Sequence, residues 1–253
     1  MHQLPVALQM YTVRDDADRD FGGTVARVAE IGYRAVELAG FGGRTAADAK
    51  RLIDDAGIAV AGAHIPLAAL ENDLGRVIDD AKTLDTRFVT CPYLPDERRQ
   101  DADGYRRVGE ALTRAGARLA EADVQLCYHN HAFEFDRFDG QTGFDLLFGA
   151  ADPALVQVEF DTFWARKAGE DPAALLRRYA GRVPLIHLKD MTADAEATFA
   201  EVGEGVMDFP AIFDAAETAG GRYYIVEQDV CRRPPLESVR ISFENLRKMG
   251  MIA

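Results

Sequence analysis

Short apolar runs alternate along this chain with longer stretches whose apolar residues recur at helical spacing. The runs LPVALQM (4–10), RAVELA (34–39), IAVAGAHI (58–65), RFVTCPY (87–93), VQLCYHN (124–130), LVQVEFD (155–161), VPLIHLKD (183–190) and RYYIVEQ (222–228) read as strands. Between them, helices are expected over about 21–31, 45–57, 70–84, 101–122, 144–148, from 171, from 208, and over 236–249. Helix ends are marked in several places. Gly32 is a C-terminal stop, Thr45 an N-cap, and Asp171-Pro172 and Asp208 with Pro210 are caps followed by proline in the first turn. Eight strand–helix units without a break in composition predict one domain over residues 1–253, an α/β fold closed as a single (β/α)8 TIM barrel. A doubly wound open sheet is the competing architecture, but no Gly-x-Gly-x-x-Gly follows the first strand.

Alternation within the strands points to chemistry. In LVQVEFD, Val156, Val158 and Phe160 share one face and Gln157, Glu159 and Asp161 the other. Leu185, His187 and Lys189 share a face, as do Ile225 and Glu227. Acidic side chains buried along a barrel axis are costly unless paired or metal-bound. Glu134, Asp161, His187 and Glu227 close four separate strand-like segments, and a parallel barrel gathers such ends at its C-terminal mouth. Three carboxylates and one imidazole suit one divalent cation, Mn²⁺ foremost, with Mg²⁺, Co²⁺, Fe²⁺ or Zn²⁺ as alternatives. The histidines agree: His64, His129, His131 and His187 all fall at or near strand ends, and His2 is terminal.

Bulk properties narrow the partners. The net charge of -13 argues against nucleic acid and anionic membrane. No apolar run is long enough to span a bilayer, and the N-terminal run lacks a basic region ahead of it, so it reads as a strand and not a signal peptide. Cys91, Cys127 and Cys231 are odd in number, without Cys-x-x-Cys, which points to a reducing cytoplasm.

The segments LQMYTVRD, YHNHAFEF, EFDTFW, HLKD, VGEGVMDFP and VEQD, in this order, resemble the sugar phosphate isomerase/epimerase superfamily, the xylose-isomerase-like barrels that include endonuclease IV. The resemblance covers nearly the whole chain. It implies metal ligation by Glu134, Asp161, His187 and Glu227, with Glu134 and Glu227 also moving protons across the substrate. Trp164 departs from the epimerase branches, which tend to carry histidine there. The His-Asn-His segment is more typical of a broad branch in which some members cleave or eliminate 3-keto-glycosides.

Removing a proton beside a carbonyl gives an enediolate, which a divalent cation stabilises as a Lewis acid. The expected activity is therefore a metal-dependent sugar isomerase or epimerase, with a lyase on 3-keto-glycosides as the alternative. A small sugar or keto-sugar is the expected partner, and homo-oligomerisation is left open. His64, His131, Lys189, Trp164 and Arg14 are the substrate-binding candidates. Gln9 and Tyr11 also lie at the mouth, Glu159 is placed to orient His187 or a metal water, and His129 to hold loop carbonyls or serve as an alternative base. Asp190 falls on the helical side and reads as structural, while Met191 to Met207 is long enough to act as a lid. Arg232 and Arg233 read as a solvated pair. Two further readings are a repair endonuclease, disfavoured by the acidic balance and the histidine supply, and a non-catalytic sugar binder.

Overall fold

A computed structural model of the chain describes residues 3–252. Eight parallel strands close into a barrel: β1 (Val6–Gln9), β2 (Ala35–Leu38), β3 (Ala59–His64), β4 (Phe88–Cys91), β5 (Gln125–His129), β6 (Val156–Asp161), β7 (Leu185–Leu188) and β8 (Tyr223–Val226). Each pairs with its neighbours in sequence, and β1 closes the ring on β8 through Ala7↔Ile225 and Leu8↔Val226. The strands are the eight apolar runs, trimmed at their ends.

Around them lie α1 (Arg14–Arg19), α2 (Phe21–Ile31), α3 (Ala46–Asp55), α4 (Leu67–Asn72), α5 (Leu74–Thr83), α6 (Ala102–Ala120), α7 (Gly143–Ala150), α8 (Thr162–Lys167), α9 (Pro172–Arg178), α10 (Phe209–Ala219) and α11 (Pro235–Lys248). Thr45, Asp101, Thr142, Asp171 and Asp208 cap their helices with side-chain oxygens, as the sequence predicts for Thr45, Asp171 and Asp208. The helix expected over 70–84 is two helices, because the chain leaves helical geometry at Asp73 (φ -141°).

Alternation divides the interior into two layers. Outward-facing strand residues such as Leu8, Val36, Tyr128, Val158 and Ile186 join the main core beneath the helices. Inward-facing Ala7, Ala35, Ala61, Cys127, Leu185 and Ile225 form a second, smaller apolar cluster that fills the barrel. Most of these side chains are small, as a narrow eight-stranded barrel requires. One pleat further toward the C-terminal mouth the inward residues turn polar: Gln9, Glu37, His129, Glu159, His187 and Glu227 are all buried.

The loop after β7 is tied down. The Asp190 carboxylate accepts the backbone N–H groups of Gly203 (2.8 Å), Gly205 (2.9 Å) and Met207 (3.0 Å). Gly205 is needed here, since a Cβ at that position would lie 2.2 Å from the Met191 carbonyl. Lys167 Nζ donates to the carbonyls of Glu196 (2.7 Å) and Ala197 (2.9 Å), and Asp190–Met191 pairs antiparallel with Phe199–Ala200. Asp190 is structural, as its alternation predicts. The segment long enough to act as a lid is pinned by hydrogen bonds that a lid would have to break.

Asp190→Ala removes the buried acceptor shared by four backbone N–H groups, that of buried Met191 among them, and is expected to cost about 3 kcal/mol in denaturant unfolding. A loss below about 1 kcal/mol would show that the loop holds itself.

Candidate active site

The mouth is assembled from residues that use their two polar ends for different tasks. Asp161, the last residue of β6, caps α8 with Oδ1, which accepts from the Trp164 N–H (2.8 Å). Its Oδ2 accepts no hydrogen bond but forms an ion pair with Lys189 Nζ at 3.0 Å and lies 3.7 Å from His129 Nε2. Asn130 fixes the ends of β5 and β6 together by accepting from the Asp161 N–H (2.9 Å) and donating to its carbonyl (3.2 Å).

Glu159 sits one layer deeper. Its Oε1 lies 2.7 Å from His64 Nε2, 3.0 Å from His129 Nδ1 and 3.1 Å from His187 Nε2, while Oε2 accepts from Thr90 Oγ1 (2.7 Å). Glu37 adds a second deep carboxylate: Oε2 is 2.8 Å from both Gln9 Nε2 and His187 Nε2, and Oε1 has no partner. The other nitrogen of His187, Nδ1, faces Glu227 Oε2 at 2.9 Å. His129 and His187 thus each present one ring nitrogen to the deep carboxylates and the other to Asp161 or Glu227. A carboxylate behind an imidazole is the arrangement that orients a metal-ligating histidine.

Two groups have donor atoms all within 4.8 Å of one another: His129, Asp161, His187 and Glu227, and, deeper, His64, His129, Glu159 and His187. The first contains three of the four residues expected from sequence. The structure does not bring the fourth, Glu134, to either group. Strand β5 ends at His129, and Glu134 lies beyond it in a 3₁₀ turn, Phe133–Phe135. There its buried carboxylate accepts from the hydroxyl of Tyr128, which belongs to the core beneath the helices, and from the His131 N–H (2.7 Å). The place on β5 is taken by His129.

Charge explains why the cluster holds together. Glu37, Glu159, Asp161 and Glu227 are buried, with Asp229 beside them; they face one ammonium, Lys189, and the imidazoles of His64, His129 and His187. Lys189 Nζ lies 2.7 Å from Glu227 Oε2 and donates to Asp229 Oδ1 at 2.7 Å. Burial works against the Lys189 charge, but Asp161, Glu227 and Asp229 hold its pKa well above the usual lysine value. Burial raises the Glu227 carboxyl, yet Lys189 and His187 hold it well below the usual range. For His187, burial is outweighed by Glu159 and Glu37, which raise it well above the ordinary imidazole. A divalent cation supplies this positive charge without a proton on the ring nitrogens. The residues present therefore fit a metal: a crowded donor set, a carboxylate oxygen without a hydrogen bond, and carboxylates behind both imidazoles.

A cavity of about 550 Å³ opens above the cluster, lined by Arg14, His64, His129, His131, Lys189, Glu227 and Asp229 among others. Four of the five substrate-binding candidates lie on it. The fifth, Trp164, stands behind, its ring 5.9 Å from Lys189 Nζ and 5.4 Å from the His131 ring, with its indole N–H unpartnered. Arg14 donates to the carbonyls of Tyr11 and Asp229. Arg233 pairs with Glu201 and Glu204, and Arg232 with Asp194, both away from the cluster. Sequence reasoning passed over Glu37 and Asp229. Both carried a signal: Glu37 alternates inward two residues after Ala35, and Asp229 comes two residues after Glu227.

A closed parallel barrel with buried histidines and carboxylates at its C-terminal mouth defines a (β/α)8 protein with a candidate metal-binding centre. The chain belongs to the xylose isomerase-like TIM barrel family, whose model matches residues 25–249. It is 26% identical to the rhizopine catabolism protein MocC of Rhizobium meliloti, over 99% of this chain and 90% of that protein. It is 30% identical to the inosose dehydratase of Lacticaseibacillus casei over 59% of this chain and 54% of that protein, so the match spans about half of the dehydratase. A solved sugar phosphate isomerase/epimerase from Parabacteroides distasonis superposes with a TM-score of 0.87 at 25% identity, covering 100% of this chain and 96% of that one. Among these similar proteins are a dehydratase and a sugar phosphate isomerase/epimerase.

The buried Glu134 carboxyl titrates unusually. Burial raises it from 4.5 to about 7, against hydrogen bonds from Tyr128 and the His131 N–H. The folded protein then keeps a proton that the unfolded chain releases, so this group's contribution to stability is full below pH 4.5 and lost as pH rises through about 7. Relative to Glu134→Gln, wild type should lose about 3 kcal/mol at most across that window in pH-dependent denaturant unfolding. A difference independent of pH would refute the assignment.

Proposed function

We propose that the protein is a metal-dependent lyase that removes the proton beside the carbonyl of a keto-sugar or keto-polyol and expels the β-substituent. His129, Asp161, His187 and Glu227 would hold one divalent ion, with Mn²⁺ our first choice. When bound, the ion supplies Lewis-acid stabilisation of the negative charge that develops on the substrate oxygen. Glu159 and Glu37 orient the two imidazoles from behind.

The observation that carries the reading is the position of Glu134. Isomerisation or epimerisation by two facing glutamates needs Glu134 opposite Glu227, and Glu134 instead hydrogen-bonds to Tyr128 on the helical side of β5. Glu227 lines the cavity and is assigned as the base. Lys189 keeps Glu227 ionised, while burial raises the Asp229 carboxyl against it; the ammonium faces the cavity, where it can hold a substrate oxygen. His131 lines the cavity as a neutral ring, its pKa lowered to about 2 by burial and by His129 and Lys189, and is assigned to hydrogen-bond the departing oxygen, while Glu227 returns to that oxygen the proton it took from carbon. Elimination can run on one shuttling carboxyl, which removes the proton from carbon and delivers it to the leaving oxygen.

Two experiments test the reading. Metal content after Mn²⁺ loading and gel filtration should be one ion per chain; His129→Ala should weaken binding at least about tenfold and Glu134→Gln should not. The opposite pattern would restore the ligand set read from sequence. In D₂O, the Mn²⁺-loaded protein and a panel of 3-keto-glycosides and keto-polyols should give unsaturated ketones by NMR, with Glu227→Gln at least about 10²-fold slower. Deuterium uptake with the β-substituent retained would assign an isomerase or epimerase instead.

A further inference from the structure

Among the described residues, the exposed large hydrophobic side chains are Tyr11 (43% exposed), Tyr93 (45%), Val206 (50%) and Val230 (63%). Three of these four, Tyr11, Tyr93 and Val230, line the cavity that holds Lys189 and Glu227, together with Pro66 and Pro92. Isolated exposed hydrophobics need no explanation, but three converging on one mouth do.

The two tyrosines are fixed in place. The Tyr93 ring meets His131 edge-on at 5.6 Å and Phe133 at 5.4 Å, and its hydroxyl accepts from Arg99 at 3.3 Å. The Arg14 guanidinium lies 4.2 Å from the Tyr11 ring centroid. Aromatic rings already immobilised lose little entropy when a ligand docks against them. The mouth thus has a polar floor of His64, Lys189, Glu227 and Asp229 beneath a rigid apolar collar. At about 550 Å³ the cavity is in the range of sites for drug-sized ligands, with more room than one polyol ring fills.

We infer that the collar of Tyr11, Tyr93 and Val230 is a subsite for an apolar, ring-bearing substituent on the β-oxygen of the substrate. The inference rests on the lyase reading and names its substrate class: a two-part molecule, keto-polyol at the floor and apolar alcohol at the collar. The chemistry balances without an oxidant. The α C–H bond breaks and its proton passes to the base. Its electron pair forms the C=C bond, the β C–O bond breaks, and the departing oxygen takes a proton and leaves as the alcohol.

Ethyl and 2-phenylethyl β-glucosides separate the collar from the chemistry. Both lack the ketone and are not turned over. Calorimetric titration of the Mn²⁺-loaded protein should find the phenylethyl compound about tenfold tighter, and Tyr93→Ala should shrink that preference to within about threefold. The corresponding 3-keto-glucosides have leaving groups of matched type, so their kcat/KM values should show the same preference, mainly through KM. Equal or undetectable affinities for the two glucosides would overturn the collar whatever the turnover. A phenylethyl preference without any elimination would instead overturn the lyase reading and leave the collar standing. A dimer in sedimentation that Tyr93→Ala dissociates would give the surface to a second copy of the chain and overturn the inference.

Discussion

Acidic side chains buried at one end of a closed barrel are the constraint on which the mouth of this protein is built. Glu37, Glu159, Asp161 and Glu227 are removed from solvent, and ionised carboxylates in that environment are tolerated only with matched positive charge and hydrogen bonds. Lys189 and the imidazoles of His64, His129 and His187 meet that demand from three other strand ends. Each charge in the cluster offsets the burial of its neighbours. The small apolar layer of Ala7, Ala35, Ala61 and Cys127 below it lets the barrel close tightly and keeps water from the underside.

Rigidity arises from how each carboxylate divides its two oxygens. Asp161 caps α8 with one and offers the other to the mouth. Glu159 anchors on Thr90 with one and meets three imidazoles with the other. Asp190 spends its acceptors on the loop behind Lys189. The site is therefore preorganised by strand ends and short turns, and the long segment after β7 is tied down behind Lys189 and Trp164. Catalysis that depends on electrostatic stabilisation benefits from such fixed dipoles and charges, because nothing has to reorganise as charge develops.

The proteins similar to this chain include a dehydratase and a sugar phosphate isomerase/epimerase, whose reactions can share enolisation and differ in the fate of the enediolate. Here the difference lies in which groups surround the substrate. A glutamate and an aspartate sharing one lysine, an imidazole without a carboxylate partner and an aromatic rim make a different environment from a pair of opposed glutamates. The direction of the Glu134 side chain is the feature on which the proposed lyase chemistry rests.

Periodicity alone determined the eight strands, most of the helices and their caps, because alternation and capping are local properties of a few neighbouring residues. It also placed Asp161, His187, Lys189 and Glu227 on the inner face, since a side chain within a strand has only two directions. Glu134 was beyond its reach. The chain leaves β5 at His129, and once strand geometry ends, the direction of a side chain five residues later is set by the turn and by Tyr128. The link from Glu37 to His187, 150 residues apart in sequence, likewise exists only because the barrel closes. Which strand ends become neighbours, and which nitrogen of an imidazole meets which carboxylate, are long-range facts that the tertiary structure alone decided.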